Sequence, residues 1–220
     1  MAVPKNEREY RAMRLEVREA ETEGEQPKVV TGYASTFNEP YTLFEDDDII
    51  FREQVDPQAF ENTDMDDVIM QYDHAGRVFA RVSNNTLKVS PDEKGLHIEA
   101  DLGGTELGRG LFEEIRGGYT DKMSFGFTVG RDEVLRTEAE DGRVDILRTI
   151  TEVSKLYDVS AVSIPANNGT SIGVSTRTRI DGVIEEVRAE RLEAEKRRAV
   201  EQRREEIRTR AEALGKEITE

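Results

Sequence analysis

Alternation between apolar and polar positions runs through the middle of the chain and predicts strands. It is found at Val29–Phe37, Val68–His74, Val78–Val82, Thr86–Ser90, Gly95–Leu102, Val144–Val153 and Lys155–Ile164. Arg11 to Arg18 alternates more loosely and also reads as a strand. Ser83-Asn84-Asn85 predicts a hairpin between the two runs beside it, and His74-Ala75-Gly76 and Pro91-Asp92-Glu93-Lys94 predict turns. Glu21 to Pro27 is a loop, and Pro165-Ala166-Asn167 closes the last strand. Two helix starts stand among these strands. Thr105 caps a stretch ending at Gly117-Gly118, in which Leu107, Leu111, Phe112 and Ile115 share a face. Asp56-Pro57 has the form of a second start, an Asp cap with Pro at the first helical position.

The pattern changes after about Ile180. Val183, Ile184, Val187 and Leu192 form a helical stripe, continued by Val200, Ile207 and Leu214 at seven-residue steps. The other positions of that seam are mostly Arg and Glu. Two readings stay open: a long charged helix that pairs weakly or only on a partner, and a solvated helix laced with Glu/Arg pairs. The chain therefore reads as mainly β with flanking helices and a long C-terminal charged helix. Its segments are a charged lead (1–27), a β body (28–176) and a helical tail (177–220).

One strand differs from the rest. In Lys122-Met123-Ser124-Phe125-Gly126-Phe127, Met123, Phe125, Phe127 and Val129 fall on one face. Ser124, Gly126, Thr128 and Gly130 fall on the other, which carries a hydroxyl and almost no bulk. Such a face suits a nucleophile with room for substrate. It equally suits a strand packed closely under another backbone.

Composition narrows the chemistry. The chain has no cysteine, which excludes disulfides, thiolate nucleophiles and cysteine-based zinc sites and suits a reducing cytoplasm. The formal net charge is -16. From Arg177 onward twelve basic and twelve acidic residues cancel, so the excess sits in the first 176 residues. An acidic body repels nucleic acid and favours basic partners. No apolar run has the length of a membrane span, and the polar N-terminus does not read as a signal peptide.

With two histidines and no His-Glu-x-x-His pair, a metal site is not expected. No Gly-x-Ser-x-Gly elbow, phosphate loop or dinucleotide fingerprint occurs, so no cofactor is expected either. Serine hydrolysis needs a hydroxyl, a base and a group that orients the base. Ser124 and His74 supply the first two. Asp73 adjoins His74, but neighbours in a strand point to opposite faces. The acid is then Asp158, which alternation places with Ser160 and Val162 on one face, or Glu152. His97, on the polar face of its strand, reads as surface.

At these residues the chain resembles the prohead serine proteases of tailed phages, assemblin-like capsid maturation proteases. The blocks occur in the family's order: Gly32-Tyr33-Ala34-Ser35-Thr36-Phe37, Asp56-Pro57-Gln58-Ala59-Phe60, Tyr72-Asp73-His74, Phe79-Ala80-Arg81 with Asn85-Thr86-Leu87, and Asp92-Glu93-Lys94-Gly95-Leu96. Leu111 to Gly117 then leads into Lys122-Met123-Ser124-Phe125-Gly126-Phe127, and Leu156 to Asn167 closes the set. The resemblance spans roughly residues 12–175 and leaves the tail uncovered. It implies Ser124 as nucleophile, His74 as general base and, where the family more often has Glu, Asp158 as the acid.

The resemblance also implies a closed β-barrel. It implies an endopeptidase working inside the phage procapsid, in the bacterial cytoplasm, on scaffold, on the major capsid protein and on itself. Backbone N–H groups are the expected oxyanion donors, helped by Arg81 or Arg148. Gly126 and Thr128 form a shelf along which an extended substrate lies as an added strand. The tail is then a tether to scaffold or shell, and a homodimer is one way to gate activity. The alternative function is an inactive assembly module that kept the body and works through its tail. Survival of both Ser124 and His74 speaks against it.

Overall fold

The computed structural model describes residues 8–17, 28–163 and 174–217. The Glu21–Pro27 loop and the Pro165-Ala166-Asn167 closure lie outside them. The chain divides into two compact units, Met1–Arg179 and Ile180–Glu220.

The first unit is built on ten strands: β1 (Glu9–Val17), β2 (Val29–Thr36), β3 (Tyr41–Glu45), β4 (Ile49–Val55), β5 (Ile69–Tyr72), β6 (Ala75–Arg81), β7 (Leu87–Pro91), β8 (Gly95–Asp101), β9 (Lys122–Glu138) and β10 (Val144–Val162). Helix α1 (Glu106–Arg116) lies between β8 and β9. The pairing order is β3-β4-β10-β9-β1-β2-β8-β7, with the β5–β6 hairpin joined to β10. This order is open. The terminal strands β3 and β7 do not pair with each other, so the expected closed barrel is not formed.

The longest strand organises the sheet. The runs expected as two strands at Val144–Val153 and Lys155–Ile164 are joined in the nineteen-residue β10, which ends at Val162, and Ile164 lies outside the described residues. One edge of β10 pairs antiparallel with β9. The other pairs parallel with β4 over Val144–Ile150 and then parallel with β5 over Asp158–Ala161. Four register slips between Ile150 and Asp158 let one strand serve both neighbours. The expected β6–β7 hairpin is also absent. A 3-10 turn at Val82–Asn84 diverts the chain, so β6 pairs with β5 and β7 with β8.

Core side chains come from alternate positions of these strands, among them Val30, Ile98, Met70, Phe125, Phe127, Ile150 and Val159, all essentially inaccessible. Helix α1 closes one side with Leu111, Phe112 and Ile115. The Thr105 side chain accepts a hydrogen bond from Gly108 N, the N-cap expected. Leu107, placed on the apolar face by its spacing, is exposed. The buried position at that end is Gly108, where a Cβ would collide with the Leu102 carbonyl. Asp56-Pro57 starts only a turn. Gln58 N and Ala59 N bond back to Asp56, and Ala59 O then accepts from Val153 N of β10 in place of a second helical turn.

A polar cluster lies buried beside the apolar core. Arg11 donates to Glu53 at 2.5 and 2.8 Å and to Glu9 at 2.6 Å. Arg148 donates to Glu53 at 2.7 Å, to Glu9 at 2.9 and 3.1 Å and to Asp132 at 2.6 Å. The Tyr41 hydroxyl donates to Glu53 at 2.5 Å. Burial pushes the Glu53 carboxyl up, but the Arg11 and Arg148 guanidiniums outweigh it and hold it below the usual carboxylate range. Burial, then Glu53, keeps the Tyr41 phenol protonated well above its ordinary range. Satisfied in this way, the charges fix β1, β4, β9 and β10 relative to one another.

The second unit contains most of helix α2 (Val174–Glu217), the long charged helix expected. Leu192, Val200 and Ile207 of its seam are exposed. Among the described residues no helix is long and apolar enough to cross a membrane.

Candidate active site

The bare face of β9 is where the first unit gathers its unusual polar groups. β9 is paired on both sides along this stretch. Ser124 stands opposite Ser160 of β10 and Ala12 of β1, and Gly126 stands opposite Asp158 and Tyr10. An added substrate strand therefore has no free edge beside Ser124, which corrects the expectation from alternation.

His74 reaches this face from a tight turn. Tyr72 and Ala75 pair across it, and both central residues have positive φ, 48° at Asp73 and 56° at His74. That is the geometry of a two-residue primed hairpin turn, which usually selects Asn or Gly. Expected at the end of a strand, His74 instead occupies a backbone conformation that non-glycine residues seldom adopt, and such conformations cluster at functional sites. Asp73 pins the turn. Its N–H donates to Ala161 O at 2.9 Å, and its carboxylate accepts from Ser163 N and Ser163 Oγ, both at 2.9 Å at the closest. Asp73 is thus committed to β10 and does not orient the imidazole.

Asp158 does meet it. Its Oδ1 lies 2.5 Å from His74 Nδ1. A carboxylate only accepts, so Nδ1 carries the proton and Nε2 is left as the acceptor. Asp158 is 1% exposed and the His74 side chain 18%, so the contact is largely shielded from water. A bulge aims the carboxylate. Leu156 pairs with Phe127 but Asp158 with Gly126, one residue out of step. The slip turns Tyr157 and Asp158 to the same side, where strict alternation had separated them. Tyr157 OH lies 3.2 Å from Thr128 Oγ1 on that side.

Gly126 is bare for a structural reason. A Cβ there would overlap Asp158 Oδ2 and come within 2.9 Å of Tyr10 Cε1. The space read as clearance for substrate is filled by the carboxylate and the tyrosine ring. Of the two readings left open by the sequence, close packing describes Gly126. Thr128, the other shelf residue, is buried against Tyr157.

Ser124 is 1% exposed, and its Oγ makes no hydrogen bond among the described residues. An unpaired buried hydroxyl is costly unless it has a use. Ser160, which the sequence did not single out as functional, is fully buried and donates to Asp158 Oδ1 at 2.8 Å. Its one legible signal was its place two residues after Asp158 on a strand.

The remaining candidates lie apart. Glu152 is half-buried and pairs with Arg131 at 3.4 Å, so Asp158 and not Glu152 meets the histidine. Arg148 is committed to Glu9, Glu53 and Asp132 in the buried cluster, which removes it as an oxyanion donor. Arg81 faces Asp67 at 3.3 Å. His97 Nε2 lies 2.7 Å from Thr31 Oγ1. Among the described residues no group of His, Asp or Glu is arranged to hold a metal.

A model of the caudovirus prohead serine protease family matches residues 13–182. No curated protein and no solved structure matches the chain.

Proposed function

The chain belongs to the caudovirus prohead serine protease family, and on that premise we propose that Ser124, His74 and Asp158 are its catalytic triad. The observation that carries this reading is the 2.5 Å contact between His74 Nδ1 and Asp158 Oδ1, made by residues 84 apart in sequence. It orients the imidazole with Nε2 free to act as a base.

His74 Nε2 takes the Ser124 proton as Oγ attacks the peptide carbonyl carbon. Asp158 stabilises the imidazolium without itself becoming protonated. The imidazolium then gives its proton to the leaving amine, and an acyl-enzyme remains. Water, activated by the same nitrogen, releases the new carboxylate and returns the proton to Ser124. Backbone N–H groups hold the oxyanion. The Ser124–His74 hydrogen bond forms with substrate, as catalytic hydrogen bonds often tighten only in the Michaelis complex.

Membership of the family supports a site of action inside the immature phage shell. Its substrates there are scaffold or the N-terminal segment of the major capsid protein, with the helical tail as a tether and a self-cleavage target. Co-expression with the cognate capsid protein tests this. Wild type trims the capsid or scaffold bands, and the Ser124→Ala chain leaves them at full length. Identical processing by both chains overturns the assignment.

A further inference from the structure

The matched stretch begins at residue 13, yet two residues ahead of it touch the His74–Asp158 pair. The Tyr10 and His74 ring centroids are 4.2 Å apart, with the planes tilted by 56°. Arg8 Nη1 lies 3.7 Å from Asp158 Oδ2, and its guanidinium lies over the Tyr157 ring at 3.8 Å. Oδ2 is buried and makes no hydrogen bond among the described residues, so Arg8 is the cation that faces it. Gly126 leaves the floor open for both: a Cβ there would meet Tyr10 Cε1 at 2.9 Å and Arg8 Cδ at 3.3 Å.

We propose that Tyr10, in β1, and Arg8, just before it, are positioning residues that clamp the His74–Asp158 pair, so that the N-terminal segment completes the catalytic centre. This rests on the triad reading above. His74 stands at the tip of a two-residue turn, where one hydrogen bond fixes one ring nitrogen but leaves the ring plane free to swing. The Tyr10 ring removes that freedom by packing against the imidazole. Arg8 holds the far oxygen of Asp158, so the near oxygen stays on Nδ1. The cation is partly exposed, and its contribution is therefore smaller than that of the ring. Backbone pairing of Tyr10 with Gly126 places the tyrosine ring. Misplacing a catalytic group by about 1 Å costs roughly a hundredfold in rate, which sets the scale of the effect.

The test uses the full chain and a fluorophosphonate probe, which phosphonylates an activated serine without requiring the natural substrate. Labelling of wild-type Ser124, absent in Ser124→Ala, establishes the triad, and no labelling of wild type overturns that reading by itself. With labelling established, Tyr10→Ala should slow it by roughly ten- to a hundredfold at an unchanged melting temperature. Tyr10→Phe should keep the wild-type rate, because the ring and not the hydroxyl is the contact. The downfield proton resonance of His74 Nδ1–H, identified by its loss in His74→Ala, should broaden or vanish in Tyr10→Ala and persist in Tyr10→Phe. If Tyr10→Ala does not fold, Arg8→Gln decides, since it leaves the Tyr10–His74 packing intact and should slow labelling several-fold. Wild-type labelling in a folded Tyr10→Ala chain, or in Arg8→Gln where Tyr10→Ala cannot be read, overturns the clamp.

Discussion

The Asp158 carboxylate rests on the bare Cα of Gly126: its Oδ2 occupies the space that a side chain at residue 126 would need. The two residues stand in register across β9 and β10 only because the β10 bulge brings them there. The small residue beside the candidate nucleophile is thus part of the seat of the acid. Gly126→Ala should push the carboxylate off His74 and lower turnover by about one to two orders of magnitude. Crowding a packed site should also cost roughly 1–3 kcal/mol of stability. Activity and urea unfolding of the variant measure the two effects. Wild-type turnover in Gly126→Ala would mean that Asp158 is not needed where it lies.

The proposed triad predicts an ordered series. Ser124→Ala and His74→Ala should each lower cleavage by several orders of magnitude, with the double substitution little worse than either, because the residues act as a unit. Asp158→Asn should keep the fold and still lose about 10²–10⁴ in rate, since the amide favours the wrong imidazole tautomer. Single-turnover cleavage of a capsid-protein fragment separates the three.

Ser160 adds a finer distinction. Its hydroxyl shares Asp158 Oδ1 with His74 and holds that oxygen in place. Ser160→Ala should reduce turnover by roughly tenfold, the size of one lost hydrogen bond, while Ser124 still accepts a serine-directed label. Loss of the label in Ser160→Ala, and its retention in Ser124→Ala, would exchange the roles of the two serines.

The hydrogen-bonded carboxylates, Glu53 buried and the others at the surface, predict how the protein fails in acid. Glu53 is held below the ordinary carboxylate range, as are Asp64, Asp92, Glu113 and Asp141. A depressed folded value means that the unfolded chain takes up protons first. The stabilisation is complete above the unfolded carboxylate value of about 4–4.5 and is lost as pH falls through the folded values. Urea midpoints should therefore hold from pH 7 to about 5 and fall steeply below about 4. Glu53→Gln removes the carboxylate that Arg11 and Arg148 share, leaves them Glu9 and Asp132, and should cost roughly 1–3 kcal/mol at pH 7. Its midpoints should also fall less steeply in acid, because the titrating group is gone.

Much of this site was legible in the sequence. Alternation isolated the bare face of β9, and turn chemistry marked the chain reversal at His74. The missed features depend on register. No local pattern announces the bulge before Asp158, and alternation carried unbroken through it sends Tyr157 and Asp158 to opposite faces. The missing β6–β7 hairpin has a similar cause, because its turn residues are sound and only the partners of β6 and β7 differ. The Arg11, Glu9, Glu53 and Arg148 cluster had the appearance of surface charge. Its members come from three strands, β1, β4 and β10, and only tertiary pairing brings them together. Tyr10 was passed over because it sits in a segment read as a charged lead.

The connectivity of the sheet also sets a clock. β1 is the first strand of the described chain, yet it lies beside β9, and the histidine waits for an acid 84 residues further on. Contacts between such distant segments form late in folding. A chain emerging from the ribosome holds its serine, its histidine and its N-terminal strand before the acid is available. The proposed catalytic centre would therefore be among the last features a newly made molecule acquires, and a nascent chain would lack it until β10 has been synthesised.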